Sequence, residues 1–351
     1  MKLKLEEVRE AFAVIDAVSP SPVTESSQFA RLRAQNSELT MTMTGTLWAE
    51  AKVKGSAEGG KWTVYAERRS LKAFLATATG EELELFYKDK LILRAGQRLE
   101  VASHSPISGY ESWTPKAAFD LTDDQKTALK TMVKYLPNIA GSEHVEAIFF
   151  DKDYGIIATD TLCIMAILGE TGTPSFFLPA GVAQVLASTE GKIGSDKSGV
   201  GIIKAAGFVY QPLSADLDRF PSDKCKNLLE TAQKTPIGFK AKASDLACAL
   251  NVAGQFLLDK ADSARVESKV KGGLLVSVDF ASGIFQRSVP IKEEKKLSGA
   301  IQWPLRRVIP WLEYIASRKT DVIVEYAKMA NASVFRFEDG KQTHLFVFAD
   351  I

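Results

Sequence analysis

Residues 61–103 set out an order of elements that returns twice more along the chain, and no other feature constrains the fold as strongly. Residues 62–65 are aromatic and β-branched, as a strand requires, and Leu71, Phe74, Leu75 and Ala78 then fall at the spacing that gives a helix one apolar face. Leu83, Leu85 and Tyr87 alternate with exposed-type residues, Lys88-Asp89 offers a turn, and Leu91, Leu93, Leu99 and Val101 resume the period of two, which predicts a hairpin. The order repeats with a strand at 176–178, a helix opened by Pro179 and carrying Val182, Val185 and Leu186, and strands at 202–203 and 208–210. It repeats again with a strand at 300–303, a helix opened by Pro304 and carrying Leu305, Val308, Leu312 and Ile315, and strands at 322–326, 334–337 and 345–348. Proline suits the first helical turn, where its missing N–H costs nothing. Pro310, inside the last of these helices, predicts a kink or a fresh start. The helices open near residues 66, 179 and 304, close to thirds of a 351-residue chain.

The first half of each copy repeats as well. Leu5, Val8, Phe12 and Ile15 mark one amphipathic helix, and Leu246, Ala249, Leu250, Ala253, Phe256 and Leu257 mark another. Between them, Thr122 and Gln125 form a capping box before Leu129, Met132, Val133 and Leu136. Strands follow each: Leu39, Met41 and Met43 alternate, and 145–150, 155–158, 274–278 and 285–289 are apolar runs. The breaker cluster Ser19-Pro20-Ser21-Pro22 ends the first helix, while Trp113-Thr114-Pro115 and Thr235-Pro236 read as links. The prediction is an α+β chain of three domains, 1–113, 114–235 and 236–351, each with two helices on a sheet.

A chain with 46% hydrophobic and 25% charged residues can fill three globular cores. No apolar run is long enough for a signal peptide or a membrane span, which reads as cytoplasmic. Cys163, Cys225 and Cys248 are an odd, widely spaced set, unsuited to a disulfide framework or a metal site. His104, His144 and His344 have no serine, cysteine or acid at a spacing that assembles a nucleophilic site, and Cys163 beside Asp160 has no neighbouring cation or helix start to activate it. Gly59-Gly60 and Gly272-Gly273 fall at turns and not in a phosphate-binding loop. We therefore expect no catalysis and no cofactor, and a net charge of +1 decides nothing about nucleic acid.

Along essentially its whole length the chain resembles the bacterial-type sliding clamp, the beta subunit of DNA polymerase III. The resemblance rests on ordered landmarks: Met1-Lys2-Leu3 before a helix, Ala158-Thr159-Asp160 after a strand, the 176–179 strand leading into a helix, Arg219-Phe220-Pro221 closing the second copy, and Phe337-Glu338-Asp339 near the end. It implies three repeated clamp modules per chain, two chains closing head to tail into a ring, and a processivity factor for DNA replication that encircles double-stranded DNA. The expected partners are a second copy, DNA, and the polymerase and clamp loader through short motifs. The runner-up is a ring-forming assembly protein that uses the same module without DNA.

Sliding requires phosphate attraction without base reading. The basic candidates on non-core helix faces are Arg68, Arg69 and Lys72; Lys126, Lys130 and Lys134; and Arg306, Arg307, Arg318 and Lys319. Against them, Glu6, Glu7 and Glu10 make the first helix acidic. The resemblance also implies an apolar partner-peptide pocket around Val145, Thr159, Leu162, Ile164, Pro221, Val334, Leu345, Val347 and Phe348. It implies a dimer joint at Leu99, Val101, Phe256 and Leu257. Thr161, Leu162 and Cys163 replace the family's Gly-His-Arg, Cys225 stands where a basic residue is usual, and the 346–351 ending departs from the family's. A retuned pocket with distinct partners is expected. The loop at 23–28 lacks the family pattern, so no DNA contact is carried over to it.

Overall fold

The computed structural model describes every residue outside 17–27, 46, 57–59, 105–112, 114–117, 137–144, 197, 214, 258–262, 270–272, 294–296, 298, 320, 350 and 351. The breaker cluster at 19–22, the loop at 23–27, the Thr114-Pro115 link and His144 thus lie outside the described residues.

The first copy runs β1 (Lys2–Lys4), α1 (Leu5–Asp16), β2 (Phe29–Gln35), β3 (Glu38–Thr44), β4 (Trp48–Lys54), β5 (Trp62–Glu67), α2 (Arg68–Thr77), β6 (Glu82–Tyr87), β7 (Leu91–Arg94) and β8 (Arg98–Val101). The second runs β9 (Ala118–Phe119), α3 (Asp123–Met132), β10 (Ala147–Asp151), β11 (Gly155–Thr159), β12 (Cys163–Leu168), β13 (Phe176–Pro179), α4 (Ala180–Ser188), β14 (Lys192–Ser195), β15 (Gly199–Lys204) and β16 (Gly207–Pro212). Helix α5 (Ser222–Lys234) links it to the third: β17 (Ile237–Lys242), α6 (Ala243–Gly254), β18 (Ser263–Ser268), β19 (Leu274–Phe280), β20 (Gly283–Val289), β21 (Lys292–Glu293), β22 (Ile301–Pro304), α7 (Leu305–Ala316), β23 (Ile323–Lys328), β24 (Ala332–Asp339) and β25 (Gln342–Ala349). Strand, helix, four strands, helix, three strands therefore occurs three times, with β21 added in the third copy.

Three local expectations need correction. The expected hairpin after α2 has a third strand, β8, because the 95–97 turn separates Leu99 and Val101 from Leu93. Pro179 and Pro304 are the last residues of β13 and β22 and not the first of their helices. Both strands lie at sheet edges, where a residue without an N–H breaks no ladder bond. Helix α6 ends at Gly254, so Phe256 and Leu257 follow the helix instead of closing it. Pro310 sits within α7, which is assigned as continuous. Proline removes the N–H that Arg306 C=O would accept, and one residue on, Arg307 C=O takes a 2.6 Å bond from the Tyr135 hydroxyl.

By packing, the chain forms two units: Met1–Thr122 with Gly181–Leu213, and Asp123–Ala180 with Ser214–Ile351. In unit 1, α1 buries Leu5, Val8, Ala11, Phe12 and Ile15 and packs on β3, β4 and β16. Its sheets are antiparallel, in the orders β5-β2-β3-β4-β16-β15-β14-β9 and β1-β6-β7-β8. In unit 2 the orders are β13-β10-β11-β12-β25-β24-β23-β17-β21 and β20-β19-β18-β22, with α6 packed beside α7. Trp303, Trp311, Tyr326, Phe335, Phe346 and Phe348 fill its core.

Each long sheet contains one junction between strands of different copies. In unit 1, β4 pairs with β16, Trp48 opposite Tyr210 and Ala51 opposite Gly207. In unit 2, β12 pairs with β25, Ile164 opposite Val347 and Ile167 opposite His344. The third strand of this kind, β20, ends its sheet, and so does β8, the first copy's counterpart of β16 and β25.

Candidate functional site

The hollow of interest lies wholly in unit 2, where β12 meets β25. Alternation puts Ile164, Ala166, Leu345 and Val347 on one face, together with Val334 of β24, and α5 lays Cys225, Leu229 and Ala232 over it in a single buried cluster. The apolar spacing of Cys225, Leu229 and Ala232 is the signal that marks α5 as a helix; the sequence reading assigned no element to 222–234 and so missed one wall of the site. The cover is incomplete. A pocket of about 500 Å³ remains, lined by Val145, Thr159, Ile164, Pro221, Cys225, Leu228, Val347, Phe348 and Ala349, by the 161–163 turn, and by the 329–332 hairpin. Among the described residues, Lys224 is its single charged lining residue.

Seven of the residues anticipated from sequence line this hollow: Val145, Thr159, Leu162, Ile164, Pro221, Val347 and Phe348. Val334 and Leu345 lie behind them in the cluster, at 1% and 0% exposure, and support the floor. Sequence reasoning missed the 329–332 hairpin, whose Met329 N–H donates to Ala332 C=O at 2.9 Å.

The turn at the mouth is tightly determined. Asp160 Oδ1 accepts the N–H groups of Leu162 at 2.9 Å and Cys163 at 2.8 Å, while Oδ2 accepts Arg307 Nε at 2.7 Å. Thr159 Oγ1 donates to Cys163 C=O at 2.8 Å and accepts the Thr161 N–H at 3.1 Å. Leu162 C=O accepts the Ala349 N–H at 2.9 Å. Thr161 has φ 74°, a left-handed conformation that suits glycine and strains a β-branched residue. Leu162 emerges at 52% exposure, one of few large apolar side chains so exposed.

Neither buried thiol at the pocket is poised for attack. Burial pushes the Cys225 thiol up to about 11, and burial with the adjacent Asp160 carboxylate pushes the Cys163 thiol higher still. Among the described residues, no group of His, Cys, Asp and Glu is placed to hold a metal ion, and no helix is long and apolar enough to cross a membrane.

The basic candidates divide by what they touch. Arg68 is only 8% exposed and gives Nε to Asp16 Oδ1 at 2.6 Å, so it ties α2 to the end of α1 instead of facing outward. Burial raises the Asp16 carboxyl, but hydrogen bonds from Lys72 and Arg68 outweigh this and hold it below the usual range. Arg318 is similarly enclosed, 2.8 Å from Asp339 and 3.4 Å from Asp124. Arg307 is engaged with Asp160. Lys72 and Lys319 each pair with one carboxylate, Asp16 and Asp339, while their side chains stay 63% exposed. Lys126 pairs loosely with Asp123 at 3.8 Å, and Arg306 is exposed. Arg69, Lys130 and Lys134 are exposed with no polar partner among the described residues.

At the anticipated joint, Leu99 is half-buried and Val101 buried on the edge strand β8. Phe256 stacks on Phe285 of β20 at 4.9 Å, and Leu257 beside it is half-buried.

No protein-family model matches the sequence, and no curated protein matches it. Solved structures do match. The DNA polymerase III beta subunit of Thermotoga maritima, the DNA polymerase sliding clamp of Bacillus subtilis and a sliding clamp of Pseudomonas aeruginosa bound to griselimycin superpose with TM-scores of 0.77, 0.79 and 0.76. Identities are 12%, 10% and 12%, and each match covers 100% of this chain and 98% of the other. The chain therefore has the fold of the sliding clamps, reached with a very different sequence.

Proposed function

We propose that this chain is a DNA sliding clamp, a processivity factor that encircles duplex DNA and tethers a replicative polymerase, with the copies bounded as 1–113, 114–235 and 236–351. The observation that carries the reading is the repeated junction. It is made twice within the chain and leaves one strand of each kind, β20 and β8, with one edge unpaired among the described residues. A second copy supplies the missing partner at both ends, and a head-to-tail contact made twice closes a ring. Joining these edges also removes the exposed ladders that promote aggregation. Leu99, Val101, Phe256 and Leu257 would lie at that joint, together with Ile284 of β20, which is 63% exposed.

DNA contact would fall to the outward-facing cations, Arg69, Lys130, Lys134 and Arg306 first, with Lys72 and Lys319 able to exchange a carboxylate for a phosphate. So few contacts give weak, sequence-independent affinity, and retention comes from linkage. The pocket would take a short partner peptide from polymerase or loader. Its apolar lining and single Lys224 suit apolar anchors flanked by an acid, so a fluorescein-labelled peptide with the core Leu-Asp-Leu-Phe serves as probe. Loss of probe binding in Leu162→Asp is expected, and unchanged binding removes the site.

The clamp reading is tested by loading the protein onto nicked circular DNA at moderate salt and then linearising the circle. Release on linearisation is expected. Equal retention on circle and line discards the clamp in favour of an assembly protein.

A further inference from the structure

The ion pair between Asp160 and Arg307 has no place among pocket-lining contacts, since neither residue lines the hollow. Yet Asp160 divides its two oxygens between the backbone of the mouth turn and a side chain of α7. The turn needs that support. It is a two-residue hairpin loop, with Asp160 N–H reaching Cys163 C=O at 3.3 Å, and its first central residue takes the positive φ for which glycine is normally chosen. Strain of this kind persists only where surrounding bonds over-determine it, and it clusters at ligand clamps. Here the bonds come from Asp160, from Thr159 Oγ1 and from Ala349 N–H, and all converge on the residues that present Leu162.

We propose that the Asp160–Arg307 pair is the positioning element of the pocket, fixing the strained Thr161-Leu162 turn so that Leu162 stands at the mouth to meet the apolar anchor of a partner peptide. The assignment rests on the peptide reading of the pocket given above and moves Arg307 from the DNA-facing set to the peptide site. Because Arg307 lies on α7 beside the exposed Arg306, the turn is held by the helix that carries a candidate phosphate contact.

The test uses the full chain and two readouts. Hydrogen exchange at the Leu162, Cys163 and Ala349 amides reports the turn without any ligand, and the Leu-Asp-Leu-Phe probe reports binding. In Arg307→Met, faster exchange confined to those amides and a roughly 5- to 10-fold weaker probe affinity are expected, while in a Leu162→Ala background the same substitution should change affinity less than about 2-fold, since contacting or mutually dependent residues are non-additive. Arg307→Lys, which keeps the charge, should recover most of the affinity and covers the case in which the methionine variant folds poorly. Exchange and affinity both unaltered in Arg307→Met, or an equal loss with and without Leu162, would overturn the proposal. A wild-type protein that ignores the probe overturns the peptide reading instead, and the exchange arm still reports whether the pair holds the turn.

Discussion

The two strand junctions inside this chain are built alike and covered differently. Where β4 meets β16, the link residue Trp113 stacks on Tyr210 at a ring separation of 4.4 Å, lies edge-on to Phe208 at 5.2 Å, and donates Nε1 to Asp196 Oδ2 at 3.1 Å. The neighbouring strand makes room: opposite Tyr210 stands Gly201, where a Cβ would come within 2.8 Å of the Trp113 ring. Where β12 meets β25, the residue opposite Val347 on the neighbouring strand β24 is Val334, and the link is a helix whose Cys225, Leu229 and Ala232 cover only part of the face. At the first junction a flat aromatic lies against the strands; at the second a helix leaves a pocket beside it. The difference teaches that one repeated junction can be covered in two ways, by an aromatic side chain at the first joint and, at the second, by a helix that leaves a pocket open.

That contrast can be broken or sharpened by experiment. Trp113→Ala removes the aromatic that covers the first junction and should cost about 3–5 kcal/mol in denaturant unfolding, the range for a large buried aromatic. A loss below about 1 kcal/mol would mean that Trp113 is not the seal. Acid should then separate the junctions. His344, opposite Ile167 in the second, is fully buried, with Nε2 unpartnered among the described residues and Nδ1 3.4 Å from the Tyr314 hydroxyl. Burial, and then the nearby Arg318 guanidinium, lower it to about 4 despite Asp339 and Asp124. Because the folded value lies below the unfolded one near 6.5, the contribution is full above pH 6.5 and is lost as pH falls toward 4, amounting to about 3 kcal/mol at about 1.4 kcal/mol per tenfold change in proton affinity. His344→Phe should flatten the stability profile over that window, and an unchanged slope would show that another group titrates. The smallest expected effect on stability is that of Ile164→Trp, which puts an aromatic where the first junction has Trp48. Overpacking should cost about 1–3 kcal/mol while the probe peptide is excluded, and retained binding would show that the hollow lies elsewhere.

Much of this was legible in the sequence because both periodicities are local. The period of two at Leu83, Leu85, Leu91 and Leu93 and the helical spacing of Leu71, Phe74 and Leu75 identify the module, and recurrence at thirds of the chain identifies its copies. Of the two strands that meet at the pocket, the one carrying Val347 was legible for the same reason, through the apolar run at 345–348, whereas β12 was not read as a strand and Ile164 entered only through the resemblance. What stayed hidden depends on distant partners. Nothing near Arg68 announces that Asp16, 52 residues earlier, encloses it, and Arg318 and Arg307 likewise look like outward cations until Asp339 and Asp160 come beside them. The strain at Thr161 is invisible to composition, since only the pairing of β11 with β12 forces a two-residue loop there.

If the two internal junctions are instances of one rule, β20 and β8 are its third instance, shared between two chains. Sedimentation equilibrium of the purified protein beside Leu99→Asp and Ile284→Lys tests this directly. The wild type is expected at twice the 38.3 kDa chain mass and each variant at the single-chain mass with its thermal transition preserved. A wild type that remains a single chain, or variants that still sediment as pairs, would contradict it.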